Sequence, residues 1–493
     1  MYWIGYDIGS SSIKAALIHA DSGKVKKAVQ YPDKEMNIDS PQAGWAEQEP
    51  ATWWSNVCHV TEKLLTESAV SSDLIKGIGI SYQMHGLVLV DKDMEVMRPS
   101  IIWCDSRAVG VGEELFKQTG EDQCIQRLLN SPGNFTLSKL KWVRDNEPEL
   151  FEKVYKFMLP GDYIALKLTG VCSTTISGLS EGIMWDFSED KPANWLFDAA
   201  GISTDLIPDV FPTFSDQGKV NAQGARETGL PEGIPVMYRA GDQPNNAVAL
   251  NVLKPGEIAA TGGTSGVVYA ISDDASTKEG QRINCFAHVN HSAEQTRIGK
   301  MLCINGTGIQ YSWMRAQVAK DLSYAQLNGM ADSVKIGSNG LRVLPFGNGA
   351  ERMLYNQNQG ARILNLSFNR HRTEHLLRAS LEGIAFAFVY GLEILRADGV
   401  DLSTIKAGND NLFQAQLFSN TIASLSGSSI KIVETTGAVG AARAAATAFG
   451  DFGSLDDASA ADGVVGICEP LSNNQEYVDA YELWKNDLNE YII

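Results

Sequence analysis

The sequence predicts an α/β protein made of two related domains. Three observations carry this. The chain has 493 residues, too many for one hydrophobic core, which stops growing at about 250–300 residues. Strand-like and helix-like patterns alternate along it. The N-terminal strand–turn–strand unit YWIGYDIGSSSIKAALIH also has a counterpart half a chain later, EIAATGGTSGVVYAI. In both turns a glycine stands directly before hydroxyl residues, Gly9-Ser10-Ser11 and Gly263-Thr264-Ser265. Two such hairpins at that separation suggest a duplicated domain with one loop from each half. The expected division is 1–250 and 251–493.

Composition narrows the class. Hydrophobic residues at 44% and charged residues at 20% describe a globular chain, and no apolar run approaches the roughly 18 residues that would cross a bilayer. The N-terminus begins with a strand-like run and lacks a basic region followed by an apolar core, so a cytoplasmic protein is expected. The seven cysteines are scattered and form no C-x-x-C pair, which argues for reduced thiols. A formal net charge of −18 argues against nucleic acid or an anionic membrane as partner. A small phosphorylated ligand stays open, because it needs only local donors and a metal.

In chain order, Tyr2 to Tyr6 and Ile13 to His19 are strands around the turn Asp7 to Ser12, and Lys24 to Tyr31 alternates as a third. In DIGSSSIK, Gly9 lets the backbone turn closely and the amides and hydroxyls after it can face phosphate oxygens. Asp7 can hold Mg²⁺ directly or through water. No GK[ST] follows and the next element is a strand, so this is not a Walker A loop. Read alone, a plain β-turn is the simpler account; the second hairpin is what argues for phosphate. Pro50 to Ser68 carries an amphipathic helix pattern through Trp53, Trp54, Val57, Val60 and Leu64.

Ile75 to Leu89 reads as a strand broken by Gln83-Met84-His85-Gly86, and Ser100 to Trp103 as a strand running into Cys104-Asp105-Ser106-Arg107. Polar residues at the tips of buried strands are how α/β folds present a binding site. Further on, Ile234 to Tyr238 leads into a turn that carries Asp242, a short way from Thr261 to Gly266. A carboxylate beside a phosphate-type loop suggests phosphoryl transfer, although Asp242 alone would read as a turn former. Asn305 to Gln310 begins a helix whose first amides could face phosphate or ribose. Thr373 to Arg396 is a core helix by its apolar stripe, Gly437 to Ala448 is a small-residue helix suited to close packing, and Gln475 to Leu488 ends the chain as a helix.

Taken together and in this order, DIGSSSIK, GWAEQEPATWW, QMHG, WCDSR, AGDQ and GGTSG resemble the FGGY family of carbohydrate kinases from Met1 to about Phe449. The resemblance implies two actin-like, ribonuclease H-like ATPase domains flanking the catalytic cleft, with ATP and Mg²⁺ as cofactors. It implies Asp242 as general base and sugar contact, with Met84, His85, Trp103 and Asp105 also on the sugar. Gly9, Ser11, Ser12 and Lys14 from the first loop and Gly263, Thr264 and Ser265 from the second would hold the phosphates. Gly306, Gln310, Gly408 and Asn411 would hold the rest of the nucleotide, and Asp7 the metal.

QMHG is similar to the corresponding segment of members that act on D-xylulose, so the expected reaction is ATP-dependent conversion of D-xylulose to D-xylulose 5-phosphate. L-Xylulose, ribulose or another polyol stays open, because Ser173 to Asp186 departs from the family pattern. Thr174-Thr175 stands where an Asp usually follows, and one extra residue precedes Met184-Trp185. Lys406 to Phe413 takes the place of the family's GGGARS turn, with Ala407 for its first glycine. Outside the kinase class the rivals are an ATPase scaffold of the Hsp70 or actin type and a sugar-binding protein that no longer transfers phosphate. Partners are expected to be a small sugar and ATP, with no nucleic acid and no membrane; a homodimer is left open.

Overall fold

Alternating apolar residues around the DIGSSSIK turn form an antiparallel hairpin of β1 (Tyr2–Ile8) and β2 (Ile13–His19), in register from Tyr2 opposite His19 to Ile8 opposite Ile13. Strand β3 (Val25–Tyr31) adds antiparallel to β2. On the other side of β1, two parallel strands, β4 (Ile75–Tyr82) and β5 (Val236–Gly241), complete a sheet of order β3-β2-β1-β4-β5. The computed structural model describes residues 1–357, 359–461 and 463–492.

The second sheet is built from β6 (Glu257–Gly262), β7 (Gly266–Ser272), β8 (Asn284–Ala287), β9 (Ile298–Ile304), β10 (Thr404–Gly408), β11 (Ile430–Val433) and β12 (Val464–Cys468), in the order β8-β9-β7-β6-β10-β11-β12. Its stretch β9-β7-β6-β10-β11 repeats the first sheet strand for strand. Two antiparallel pairs come first, and two parallel pairs follow. The duplication read from two hairpins therefore extends over the whole first sheet and five of the seven strands of the second.

Helices cover the sheet faces and bury their apolar stripes. Helix α1 (Pro50–Ser68) has proline in its first turn, ends on Ala69 in the left-handed conformation, and packs Trp53, Val57, Val60 and Leu64 against the first sheet. Helices α2 (Pro160–Thr169) and α3 (Ile176–Glu181) follow in the chain, and α4 (Asp242–Ala249) follows β5 directly. Asp242 therefore opens a helix, where a turn was expected. A carboxylate is stabilised there by the positive end of the helix dipole.

In the second half come α5 (Gly308–Val318), the long α6 (Thr373–Ala397), α7 (Gln416–Ser426), α8 (Gly437–Phe449) and α9 (Gln475–Tyr491). The Leu377, Leu381, Ile384, Phe388 and Leu392 stripe of α6 lies in the core of this half. Helix α8 departs from simple segregation: it packs onto the first sheet, with Ala438, Ala441, Ala442 and Ala445 against Trp3, Ala16 and Tyr238. The approach is possible because β1 and β4 offer glycines. A Cβ on Gly5 would lie 1.9 Å from the Ala438 carbonyl oxygen, and one on Gly79 2.0 Å from that of Ala441.

Candidate active site

The duplicated topology brings the two glycine–hydroxyl loops and the start of α4 to one cleft. A cavity of about 460 Å³ is lined by Asp7, Gly9, Ser11, Ser12 and Lys14 from the first loop, by Thr261, Gly263 and Ser265 from the second, and by Asp242 and Trp103. Gly408, Asn411 and Gly437 close it from the β10 and α8 side. A second cavity of about 480 Å³ continues from it and shares Gly263 and Asn411. Its other walls include Thr264, Ile309, Tyr311, Tyr324, Asn328 and Gln414.

At the floor of the first cavity Asp242 and Asp7 face one another electrostatically. Burial, and then the neighbouring Asp7 carboxylate, push the Asp242 carboxyl up to about 7. Asp7 accepts a hydrogen bond from Ser81 Oγ (3.0 Å) through Oδ1. Its Oδ2 lies over Gly437, where a Cβ would come within 2.9 Å. Helix α4 is tied to the α8 N-terminus by Asn245 Nδ2, which donates to the Gly437 carbonyl oxygen (2.8 Å). The first loop is held by Gln48 Nε2, donating to the Ser10 carbonyl oxygen (2.7 Å), and by Trp103 Nε1, donating to Ser10 Oγ (3.3 Å). Trp103 is 50% exposed and offers its ring to the cleft.

Met84 and His85 line neither cavity; they sit at the tip of β4, next to Gly241 and hence to Asp242, and a Cβ on Gly241 would lie 2.5 Å from Met84 Cγ. His85 has a left-handed backbone (φ 62°) and its Nδ1 donates to the Glu181 carbonyl oxygen (2.9 Å). A carbonyl only accepts, so the imidazole is the Nδ1–H tautomer with Nε2 free to accept. Burial first, and the nearby Lys139 ammonium second, hold His85 down at about 3, so it is neutral.

Three expected contacts are placed elsewhere. Asp105 is fully buried, and its carboxylate accepts from Ala46 N (2.6 Å) and from Arg107 N, Nε and Nη2. Its acceptor sites are filled by protein, so it shapes the strand tip and does not reach the cleft. Gly306 lines neither cavity, because its backbone packs on the Pro345 carbonyl. Gln310 turns away, donating from Nε2 to Ser380 Oγ (3.2 Å). The first amides of α5 are also occupied: Gly308 N donates to the Gly263 carbonyl oxygen (3.0 Å) and Ile309 N to that of Thr264 (3.2 Å). They hold the second loop and do not present free donors.

Sequence reasoning missed other groups. Lys139 is fully buried, and its Nζ donates to the carbonyl oxygens of His85 and Ile102 (2.9 Å each), joining the QMHG tip to the WCDSR tip. Glu181 backs His85, and Tyr324 and Asn328 come from a helix in the second half that showed no polar motif. Only the fold brings these residues to the site. Among the described residues no group of three or more His, Cys, Asp or Glu is arranged to hold a metal, and no helix is long and apolar enough to cross a membrane.

Comparison with known proteins bears on the family and the fold. A model of the N-terminal domain of the FGGY family of carbohydrate kinases matches residues 2–249, and one of its C-terminal domain matches residues 258–449. A xylulose kinase of Bacillus subtilis (strain 168) is 29% identical, covering 98% of this chain and 96% of its own. A xylulose kinase of Klebsiella pneumoniae is 28% identical over 91% of this chain and 90% of its own. The crystal structure of a xylulose kinase from Rhodospirillum rubrum superposes with a TM-score of 0.89 at 27% identity, covering 99% of both chains.

Proposed function

The chain belongs to the FGGY family of carbohydrate kinases, and from that premise we propose that it phosphorylates a ketopentose, converting D-xylulose to D-xylulose 5-phosphate at the expense of ATP. The observation that supports this reading most is the place of Asp242. It stands beside the Met84-His85 tip and on the wall of a cleft that also carries both glycine–hydroxyl loops. The D-xylulose assignment is supported by relatives named xylulose kinase that span nearly the whole chain.

In the proposed reaction the sugar binds between Trp103 and His85, with the hydroxyl to be phosphorylated against Asp242. The Asp242 carboxylate takes the hydroxyl proton while the oxygen attacks the γ-phosphorus. The new O–P bond forms as the bond to the β,γ-bridging oxygen breaks, and ADP leaves with the electron pair. A base with a pKa near the working pH is the efficient choice, and Asp242 is held at about 7. The two loops grip the phosphates from opposite domains, with Lys14 adding positive charge from the first.

Mg²⁺ is usually held by one or two carboxylates together with waters and substrate phosphates, and Asp7 with the space over Gly437 fits that role. When bound there it would neutralise phosphate charge. The test is a coupled ADP-release assay across D-xylulose, L-xylulose, D-ribulose, L-ribulose and a set of polyols. Turnover dependent on D-xylulose is expected. Turnover with another sugar alone would reassign the substrate within the family, and sugar-independent ATP hydrolysis alone would overturn the reading.

A further inference from the structure

The residue least explained by this mechanism is Glu181, at the C-terminal end of α3. It is 1% exposed, and its Oε1 accepts the His85 backbone N–H (3.3 Å) while its carbonyl oxygen accepts His85 Nδ1–H (2.9 Å). Its Oε2 has no hydrogen-bond partner among the described residues. That oxygen lies 2.3 Å from where a Gly241 Cβ would be, against the residue that precedes the base. Glu181 therefore holds the His85 imidazole through its backbone carbonyl, while its carboxyl group touches the His85 backbone and the turn that carries Asp242.

Buried polar atoms nearly always find a partner, and this oxygen, enclosed beside Gly241, has none among the described residues. Helix α3 also belongs to the segment Ser173 to Asp186 that departs from the family pattern. Its N-terminus is fixed by Thr175 Oγ1, which accepts from Gly178 N (3.0 Å). The start of that segment is fixed by Arg239 on β5: Nη2 donates to the Ser173 carbonyl oxygen (3.0 Å) while Nε pairs with buried Asp162 (3.0 Å). The short helix is thus fixed at its N-terminal end, and none of these contacts uses Oε2.

We propose that Glu181 is a specificity-determining residue of the sugar site: it sets His85 and offers Oε2 to one secondary hydroxyl of the sugar, so that epimers differing at that carbon are told apart. This rests on the sugar kinase reading above. A hydrogen bond from a hydroxyl to such a group separates matched from mismatched sugars by roughly 10- to 100-fold.

The experiment compares full-length wild type with Glu181→Gln and Glu181→Asp. Steady-state kinetics on the four 2-ketopentoses at saturating Mg-ATP would be measured together with Tm and the KM for ATP. The expected result is a rise in sugar KM and a fall in the kcat/KM ratio between the preferred pentulose and its epimers, about 10-fold or more, with the KM for ATP unmoved. A purely structural carboxyl would shift Tm and depress all sugars alike. An unchanged epimer ratio in every variant that folds overturns the proposal. Failure of the underlying reading shows separately, as wild-type enzyme that turns over none of these sugars; if wild type uses another polyol, the same ratio is measured on that polyol and its epimers.

Discussion

Asp105 and Arg107, two residues apart, form a buried bidentate ion pair in which Arg107 Nε reaches both carboxylate oxygens at 3.0 Å and Nη2 reaches Oδ2 at 2.7 Å. Both side chains are within 1% of full burial, and the guanidinium also pairs with Glu47 (2.7 Å) and stacks over Trp45 at 3.8 Å. Removing one partner of such a pair leaves an uncompensated buried charge and costs about 3–5 kcal/mol. Asp105→Ala is therefore expected to lower the urea midpoint sharply while changing the sugar KM of the folded enzyme little. A raised KM at unaltered stability would return Asp105 to the sugar.

What could be read from the sequence, and what could not, divides along the range of the interaction. The paired hairpins and the α1 and α6 stripes were legible because each is signalled by neighbours within one turn or one helix, and Asp242, Trp103 and both glycine–hydroxyl loops do line one cavity. Asp105 was not, since two-residue spacing does not say whether a carboxylate faces a cleft or folds back on Arg107. Glu181 reaches His85 across 96 positions, and Lys139 reaches Ile102 across 37. No local pattern reports such pairs. Gly306 and Gln310 were misplaced for a related reason: the helix start was correctly expected, but its amides and side chain are used by the Gly263–Thr264 loop and by Ser380.

The buried histidines give stability a pH dependence of known sign. His85 and His288 are each held at about 3, chiefly by burial, against an ordinary value of 6.5. The unfolded chain therefore binds protons below pH 6.5 that the native state refuses until about pH 3. The contribution is fully present above 6.5 and is lost as pH falls through that window, by ~1.4 kcal/mol per pH unit for each group. Asp242 and Glu382, both pushed up to about 7, act in the opposite direction below neutrality. The clean measurement is the difference between wild type and His288→Gln in urea unfolding at pH 7.5, 6.5 and 5.5. A difference that changes toward this slope below pH 6.5 is expected; a pH-independent difference would mean that His288 takes up its proton in the native state as it does in the unfolded chain.

The seat of α8 on the first sheet makes a packing prediction. At Gly79 an added Cβ would meet the Ala441 carbonyl, which is helix backbone and cannot rotate away. Overpacking of this kind costs typically about 1–3 kcal/mol and occasionally more. Because the same helix begins at Gly437, whose carbonyl oxygen holds Asn245 of α4, Gly79→Ala is expected to lower both Tm and kcat. Full activity with unchanged Tm would mean that α8 does not control the position of α4.

Asp242→Asn tests the chemistry itself. The amide keeps the shape of the side chain at the start of α4 but cannot accept the sugar proton, and general-base catalysis is typically worth roughly 10²–10⁴-fold. The expected loss in kcat is at least about a hundredfold on that basis. Folding should survive, because the substitution relieves the repulsion between Asp242 and Asp7 and the strain of a buried carboxylate; Tm is expected to hold or rise. ATP with Mg²⁺ should still raise Tm, since a ligand that binds only the native state stabilises it by mass action and the walls of the second cavity, among them Tyr311, Tyr324 and Asn328, are untouched. A variant that retains wild-type kcat at saturating sugar and Mg-ATP would remove Asp242 from the proton transfer, and Asp7 would then be the carboxylate to test next.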